Sequence, residues 1–194
     1  MFCARPGAIW SGHNGDVACD HFHRCKEDVA LMKQLGVKAC RLSVAWPRVL
    51  SDGAGRANSS GMDFYNRLVD ELLSAGIEPW ITLFHWDFPH ELYCRGGWLN
   101  CESADWFADY AAVVGKALGD RVTQWMTINE PECVAVLGHQ AGIQAPGDKL
   151  APNEVVYVMR HLLLAHGRGA QALRASTAEA PKVCIPTTLP IVPT

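Results

Sequence analysis

The sequence predicts an α/β fold in which parallel strands alternate with helices. Two observations carry that prediction. A helix-periodic stretch followed by a short apolar run occurs four times, with strands beginning near residues 37, 77, 121 and 182. The middle runs, Trp80-Ile81-Thr82-Leu83-Phe84 and Val122 to Ile128, are nearly continuous in apolar residues. Strands buried on both faces read that way, and such strands are usually parallel with helices outside. A doubly wound sheet and a barrel both satisfy the alternation.

The first unit has a helix over Lys26 to Leu35, Gly36 as its stop, and a strand from Val37 to Trp46. The second is the clearest. Tyr65, Leu68, Val69, Leu72 and Leu73 recur at i, i+3, i+4, i+7 and i+8, one buried stripe of a helix. Gly76 ends it, and Ile77 to Trp86 is the strand. In the third unit Ser103 to Leu118 is the helix, Gly119 the stop and Arg121 to Asn129 the strand. A glycine just past a helix suits the left-handed backbone there. In the fourth, Asn153 is expected to cap a helix reaching about Ala175, and Lys182 to Leu189 is a strand.

Composition excludes several classes. The 194 residues are 49% apolar and 19% charged, ordinary globular usage. A net charge of -3 gives no electrostatic footprint for nucleic acid. No run of about 18 apolar residues exists, so no membrane span is expected. Residues 1–12 lack the apolar stretch of a secretory signal. Eight cysteines without a Cys-x-x-Cys are expected to be reduced thiols in a cytoplasmic protein, with Cys40, Cys133 and Cys184 acting as small apolar residues. Cys19, His21, His23 and Cys25 alternate as possible zinc ligands. Structural zinc sites draw ligands from separate pairs, so no metal is expected. No Gly-rich phosphate loop follows a strand, and no cofactor is expected.

Polar chemistry collects at the C-terminal ends of the strands. Arg41 and Ser43 lie in the first, His85 and Asp87 at the second, Asn129 and Glu130 at the third. That is where a (β/α)₈ barrel places functional groups. In Thr127-Ile128-Asn129-Glu130-Pro131 a carboxylate ends a buried strand just before proline, which is expected to bias Glu130 toward extended backbone. Catalysis and simple capping of the next helix both explain a glutamate there. Asn129 offers donors and acceptors suited to a sugar hydroxyl. His85, beside Trp86 and Asp87, can hydrogen-bond hydroxyls where an indole can stack on a sugar face.

Five segments then fall in one order: Gly15-Asp16-Val17-Ala18-Cys19-Asp20-His21, Arg41-Leu42-Ser43-Val44-Ala45-Trp46-Pro47-Arg48, Phe84-His85-Trp86-Asp87, Arg95-Gly96-Gly97-Trp98-Leu99 and Asn129-Glu130-Pro131. In that order they resemble the β-glucosidases of glycoside hydrolase family one, from about Gly15 onward, with residues 1–14 poorly matched. The resemblance implies a single partial (β/α)₈ TIM barrel domain over 1–194, about four of eight strand-helix units, numbers two to five. It implies a retaining β-glycosidase with Glu130 as catalytic acid/base and Asn129 and His85 on sugar hydroxyls. Trp86 would shape the pocket and Arg41 would support the nucleophile.

Retention needs a second carboxyl about 5–5.5 Å from the first. The family carries it in an Ile/Val-Thr-Glu-Asn-Gly segment that these residues do not contain. Glu132 stands where the family usually has Trp, and Gly138 to Gly147 departs from its Tyr/His-rich pattern. The expectation is therefore a truncated β-glucosidase-like chain whose ligand is a β-glycoside or small sugar, and which self-associates or meets a complementing polypeptide. A non-catalytic sugar-binding half-barrel or a self-associating remnant is the alternative.

Overall fold

The computed structural model describes residues 2–187. Four parallel strands, β1 (Ala39–Ser43), β2 (Glu78–Phe84), β3 (Gln124–Ile128) and β4 (Lys182–Cys184), lie in the order β1-β2-β3-β4. Each strand pairs with the next in sequence. A doubly wound sheet reverses its order at a switch point. This sheet does not, so the winding is that of a barrel wall. The expected strand at Lys182 to Leu189 is three residues long, and residues 188 and 189 lie outside the described range.

The other elements are helices α1 (His21–Gln34), α2 (Trp46–Val49), α3 (Ser59–Ser74), α4 (His90–Cys94), α5 (Ser103–Leu118) and α6 (Pro152–Ser176), with a π-helical stretch at Cys133–Gln140. Successive long helices α1, α3, α5 and α6 pack on one another along one face of the sheet. On α5, Phe107, Tyr110, Ala111, Val114 and Leu118 are buried. On α3, Tyr65, Leu68, Val69 and Leu72 are buried as the period predicts, whereas Leu73 is 40% exposed and Met62 and Phe64 take up the packing.

Several boundaries differ from the sequence reading. Helix α1 starts at His21, not Lys26. The Asp20 carbonyl accepts the N–H groups of His23 and Arg24, and Cys25, Val29 and Met32 continue one face. Of the Cys/His alternation, His21, His23 and Cys25 therefore lie on a helix and Cys19 precedes it. The strands stop at Ser43, Phe84 and Ile128. Beyond β1 the chain turns into α2, where Pro47 sits at the start of a helix, a position that needs no N–H. Helix α6 starts at Pro152 with Ala151 as its cap residue, and the Glu154 carboxylate accepts the Ala151 N–H at 2.9 Å. Gly119 has an ordinary φ of -76°. It is needed there for space, because a Cβ would strike the Gly115 carbonyl and Thr177.

The two sheet faces differ. The Thr127 hydroxyl meets His166 of α6 at 2.7 Å, so Thr127 faces the helices. By alternation and register the opposite face carries Arg41 and Ser43 of β1, Glu78, Trp80 and Thr82 of β2, Gln124 and Met126 of β3, and Lys182 and Cys184 of β4. This face is less apolar than the continuous runs predict. Glu78 accepts hydrogen bonds from Trp80 Nε1 (3.0 Å) and Gln124 Nε2 (3.1 Å), and Trp80 is 37% exposed. Cys184 is exposed on it, and Cys40 and Cys133 are half-buried, so none of the three is a fully enclosed apolar residue. No helix among the described residues is long and apolar enough to cross a membrane.

Candidate active site

The site is built where the strands end. Val44 and Asn129 continue the ladder by one backbone bond each, to Thr82 O and Phe84 O (both 2.9 Å), so the segments leaving the three strands are held level. The Tyr110 hydroxyl of α5 lies 2.9 Å from both the Val44 and Leu83 carbonyls and pins the first two exits from below. Trp46 is fully buried. Its indole stacks on Tyr110 (4.8 Å between centroids, 7° between planes) and its Nε1 donates to Gly53 O at 2.9 Å.

On this platform Arg41, His85, Trp86, Asn129 and Glu130 come together. The Arg41 guanidinium donates from Nε to Thr82 Oγ1 (2.9 Å) and from Nη2 to Asn129 Oδ1. The Asn129 oxygen is thus engaged, which leaves its amide N–H groups as donors. Asn129 is 4% exposed, and its backbone carbonyl accepts Trp86 Nε1 at 2.8 Å. His85 Nδ1 lies 2.9 Å from Ser43 Oγ. Burial lowers the His85 pKa, the Arg41 charge adds to this, and the Glu130 carboxylate opposes it. The neutral imidazole is thereby favoured over the charged one.

Two of these residues have unusual backbone. Trp86 has φ 81° and Glu130 φ 44°. The sequence reading expects Glu130 to be extended. Instead it takes the left-handed region, where the strand breaks directly into the helix that begins at Pro131. Such a residue costs about 1–3 kcal/mol and persists only where its surroundings fix it. Here the Glu130 N–H donates to Pro186 O (2.9 Å), and its carbonyl accepts Cys133 and Val134 N–H (3.0 and 3.3 Å). Its backbone is thus the cap of the next helix. The capping that the sequence offers for Glu130 is made by its backbone. Burial, followed by the Glu130 and Glu132 carboxylates, raises the Cys133 thiol pKa, and that thiol hydrogen-bonds Glu130.

Asp87 stands apart. Its Oδ2 accepts the Trp46 N–H at 3.0 Å, and burial pushes its carboxyl up to about 7 against the backbone N–H groups that favour ionisation. In the unfolded chain it ionises near 4. Its contribution to stability is thus greatest below about pH 4 and is lost as pH rises to about 7, by a few kcal/mol at most. Asp87→Asn keeps an acceptor for Trp46. Urea unfolding at about pH 5 and pH 7.5 should show the variant gaining on the parent chain at the higher pH. An equal pH dependence in both would discard this account of Asp87.

Thr82, which anchors Arg41, has no role in the sequence reading. Its signal is a hydroxyl inside an apolar strand, Ile81-Thr82-Leu83. A cavity of about 280 Å³ lies to one side, lined by Trp86, Asp87, Phe88, Trp98, His139 and Pro146 among others. Of the predicted sugar-site residues it includes only Trp86.

The sequence model of the family described as Glycosyl hydrolase family 1 matches residues 1–191. The chain belongs to that family. It is similar to Beta-glucosidase A of Thermotoga maritima, 47% identical over 182 residues that make up 92% of this chain and 40% of that protein. It is equally similar to Beta-glucosidase A of Acetivibrio thermocellus, 47% identical over 179 residues, again 92% and 40%. Among solved structures, the Thermotoga maritima β-glucosidase in complex with glucoimidazole superposes with a TM-score of 0.91 at 46% identity, over 94% of this chain and 41% of that one. This glycosyl hydrolase family 1 chain is therefore part of an α/β barrel, and it spans about two fifths of the length of the relatives it matches.

Proposed function

We propose that these residues form the sugar-holding and proton-donating side of a retaining β-glucosidase. The observation behind the reading is the junction of Asn129-Glu130 with Arg41 and His85 at the C-terminal ends of three adjacent strands. Glu130 is the acid that protonates the leaving oxygen and then, as base, activates water. Asn129, with its oxygen held by Arg41, donates to one hydroxyl of the sugar. His85 contacts a second, and Trp86 forms a wall. Arg41 also supplies positive charge beside the position of an attacking carboxylate.

That carboxylate is the missing half of the chemistry. None of the 194 residues forms the Thr-Glu-Asn-Gly segment in which the family carries it. Asp87 faces the Trp46 backbone, and Glu132 lies in the first helical turn after Glu130. The nucleophile is therefore supplied by other residues, in the same polypeptide or in a partner that completes the barrel. A cytoplasmic setting belongs to the same reading and rests on eight cysteines without a Cys-x-x-Cys.

Binding of deoxynojirimycin, a compound bound by the Thermotoga maritima enzyme, tests the sugar contacts. Asn129→Ala and His85→Ala should each weaken binding by about 5- to 150-fold, because a site built to hydrogen-bond hydroxyls loses about 1–3 kcal/mol when one partner goes. Titration calorimetry beside thermal melts gives the answer. A fall in melting temperature with unaltered affinity would make that residue a structural one.

A further inference from the structure

We infer that Ser43 is a positioning residue for His85, holding it as the imidazole protonated on Nε2 so that this N–H is left to donate to a sugar hydroxyl. The inference rests on the sugar-site reading for its purpose, but not for its geometry. Ser43 is the last residue of β1 and pairs in register with Thr82 on β2. His85 lies three residues beyond Thr82, just past the end of β2. Ser43 Oγ and His85 Nδ1 meet at 2.9 Å across that step.

A neutral imidazole has one N–H and one lone pair, so the partner of one nitrogen decides the chemistry of the other. The charged groups that act on this ring are the Arg41 guanidinium from β1 and the Glu130 carboxylate beyond β3. The cation is fixed in place by Thr82 and Asn129 and disfavours a second positive charge. With the ring neutral, its intrinsically favoured form carries the proton on Nε2. A serine hydroxyl can donate or accept, and both residues are exposed; in the inferred arrangement Ser43 donates to the Nδ1 lone pair. Ser43 and Arg41 are two apart on β1 and so share a face. One strand thereby sets both the charge and the tautomer of the residues beyond its neighbours. Without the hydroxyl the ring is free to exchange tautomers and to rotate.

Histidine ¹⁵N spectra of the 194-residue chain at about pH 8, where histidine is neutral, read the tautomer directly. His85→Gln identifies the His85 signals, and the other histidines report that the chain stays folded. The parent chain should show Nδ1 as an unprotonated nitrogen and Nε2 as protonated, with near-maximal separation of the two shifts. Ser43→Ala should collapse that separation toward the exchange average, and Ser43→Thr should restore it. A parent chain with Nδ1 protonated, or a Ser43→Ala spectrum identical to the parent, overturns the inference. Added deoxynojirimycin separates the two readings. If the tautomer depends on Ser43 while the His85 signals ignore a saturating concentration, Ser43 keeps its role and the sugar contact of His85 falls.

Discussion

The 194-residue polypeptide, expressed by itself, is expected to hydrolyse an aryl β-glucoside no faster than buffer does, and to associate rather than remain monomeric. The first expectation rests on the proposal that the nucleophile is supplied by residues other than these, since retention needs a second carboxyl about 5–5.5 Å from the first. The second follows from the sheet. Among the described residues β1 and β4 each have one unpaired edge, and the face away from the helices exposes Trp80 and Cys184. Free edges recruit partners. The polar groups on that face, Glu78 and Gln124 above all, make it a weaker glue than an apolar wall. Two copies could still cover it by closing face to face. Light scattering and a glucoside assay on the same sample decide both points. A monodisperse 21.2 kDa species, or turnover with no second protein present, would contradict them.

In a polypeptide or complex that does supply the opposing nucleophile, Glu130→Gln is expected to lower turnover of an alkyl glucoside by about 10²–10⁴-fold, the usual worth of general acid catalysis. The amide keeps the shape and cannot donate a proton in the same way. An aryl glucoside with a good leaving group should suffer less in its first step, because that oxygen departs without full protonation. The backbone role of Glu130 as helix cap is unchanged by the substitution, so the melting temperature should move little. An alkyl glucoside turned over at the parental rate would remove Glu130 from the acid/base role.

Much of this was legible before any coordinates. The Leu and Val stripe of α3 specifies its helix because periodicity is a local property. The ends of β1, β2 and β3 were legible as the place of the candidate site because polar residues interrupt apolar runs there. What failed was equally physical. The Cys19 to Cys25 stretch has a period-two alternation of residue type, which hid the start of α1. Gly119 is small for a neighbour's sake, and only packing against Thr177 reveals that. Neither the anchoring of Arg41 by Thr82 nor the meeting of Ser43 with His85 can be read from spacing. Both depend on the register between β1 and β2, which the chain sets only once it is paired.

The unreversed strand order also bears on how the chain assembles. The register partners Arg41–Trp80, Trp80–Gln124 and Gln124–Lys182 are 39, 44 and 58 residues apart. Loop closure depends only logarithmically on length, so each pairing carries almost the same entropic cost. None requires a distant strand to be threaded between two that are already joined. A chain leaving the ribosome can lay β2 on β1 and cover the pair with α3 before β3 has been synthesised. Arg41 and Thr82 would then already be in register when Asn129 and Glu130 arrive, so the anchoring half of the candidate site is in place before the half that carries Glu130.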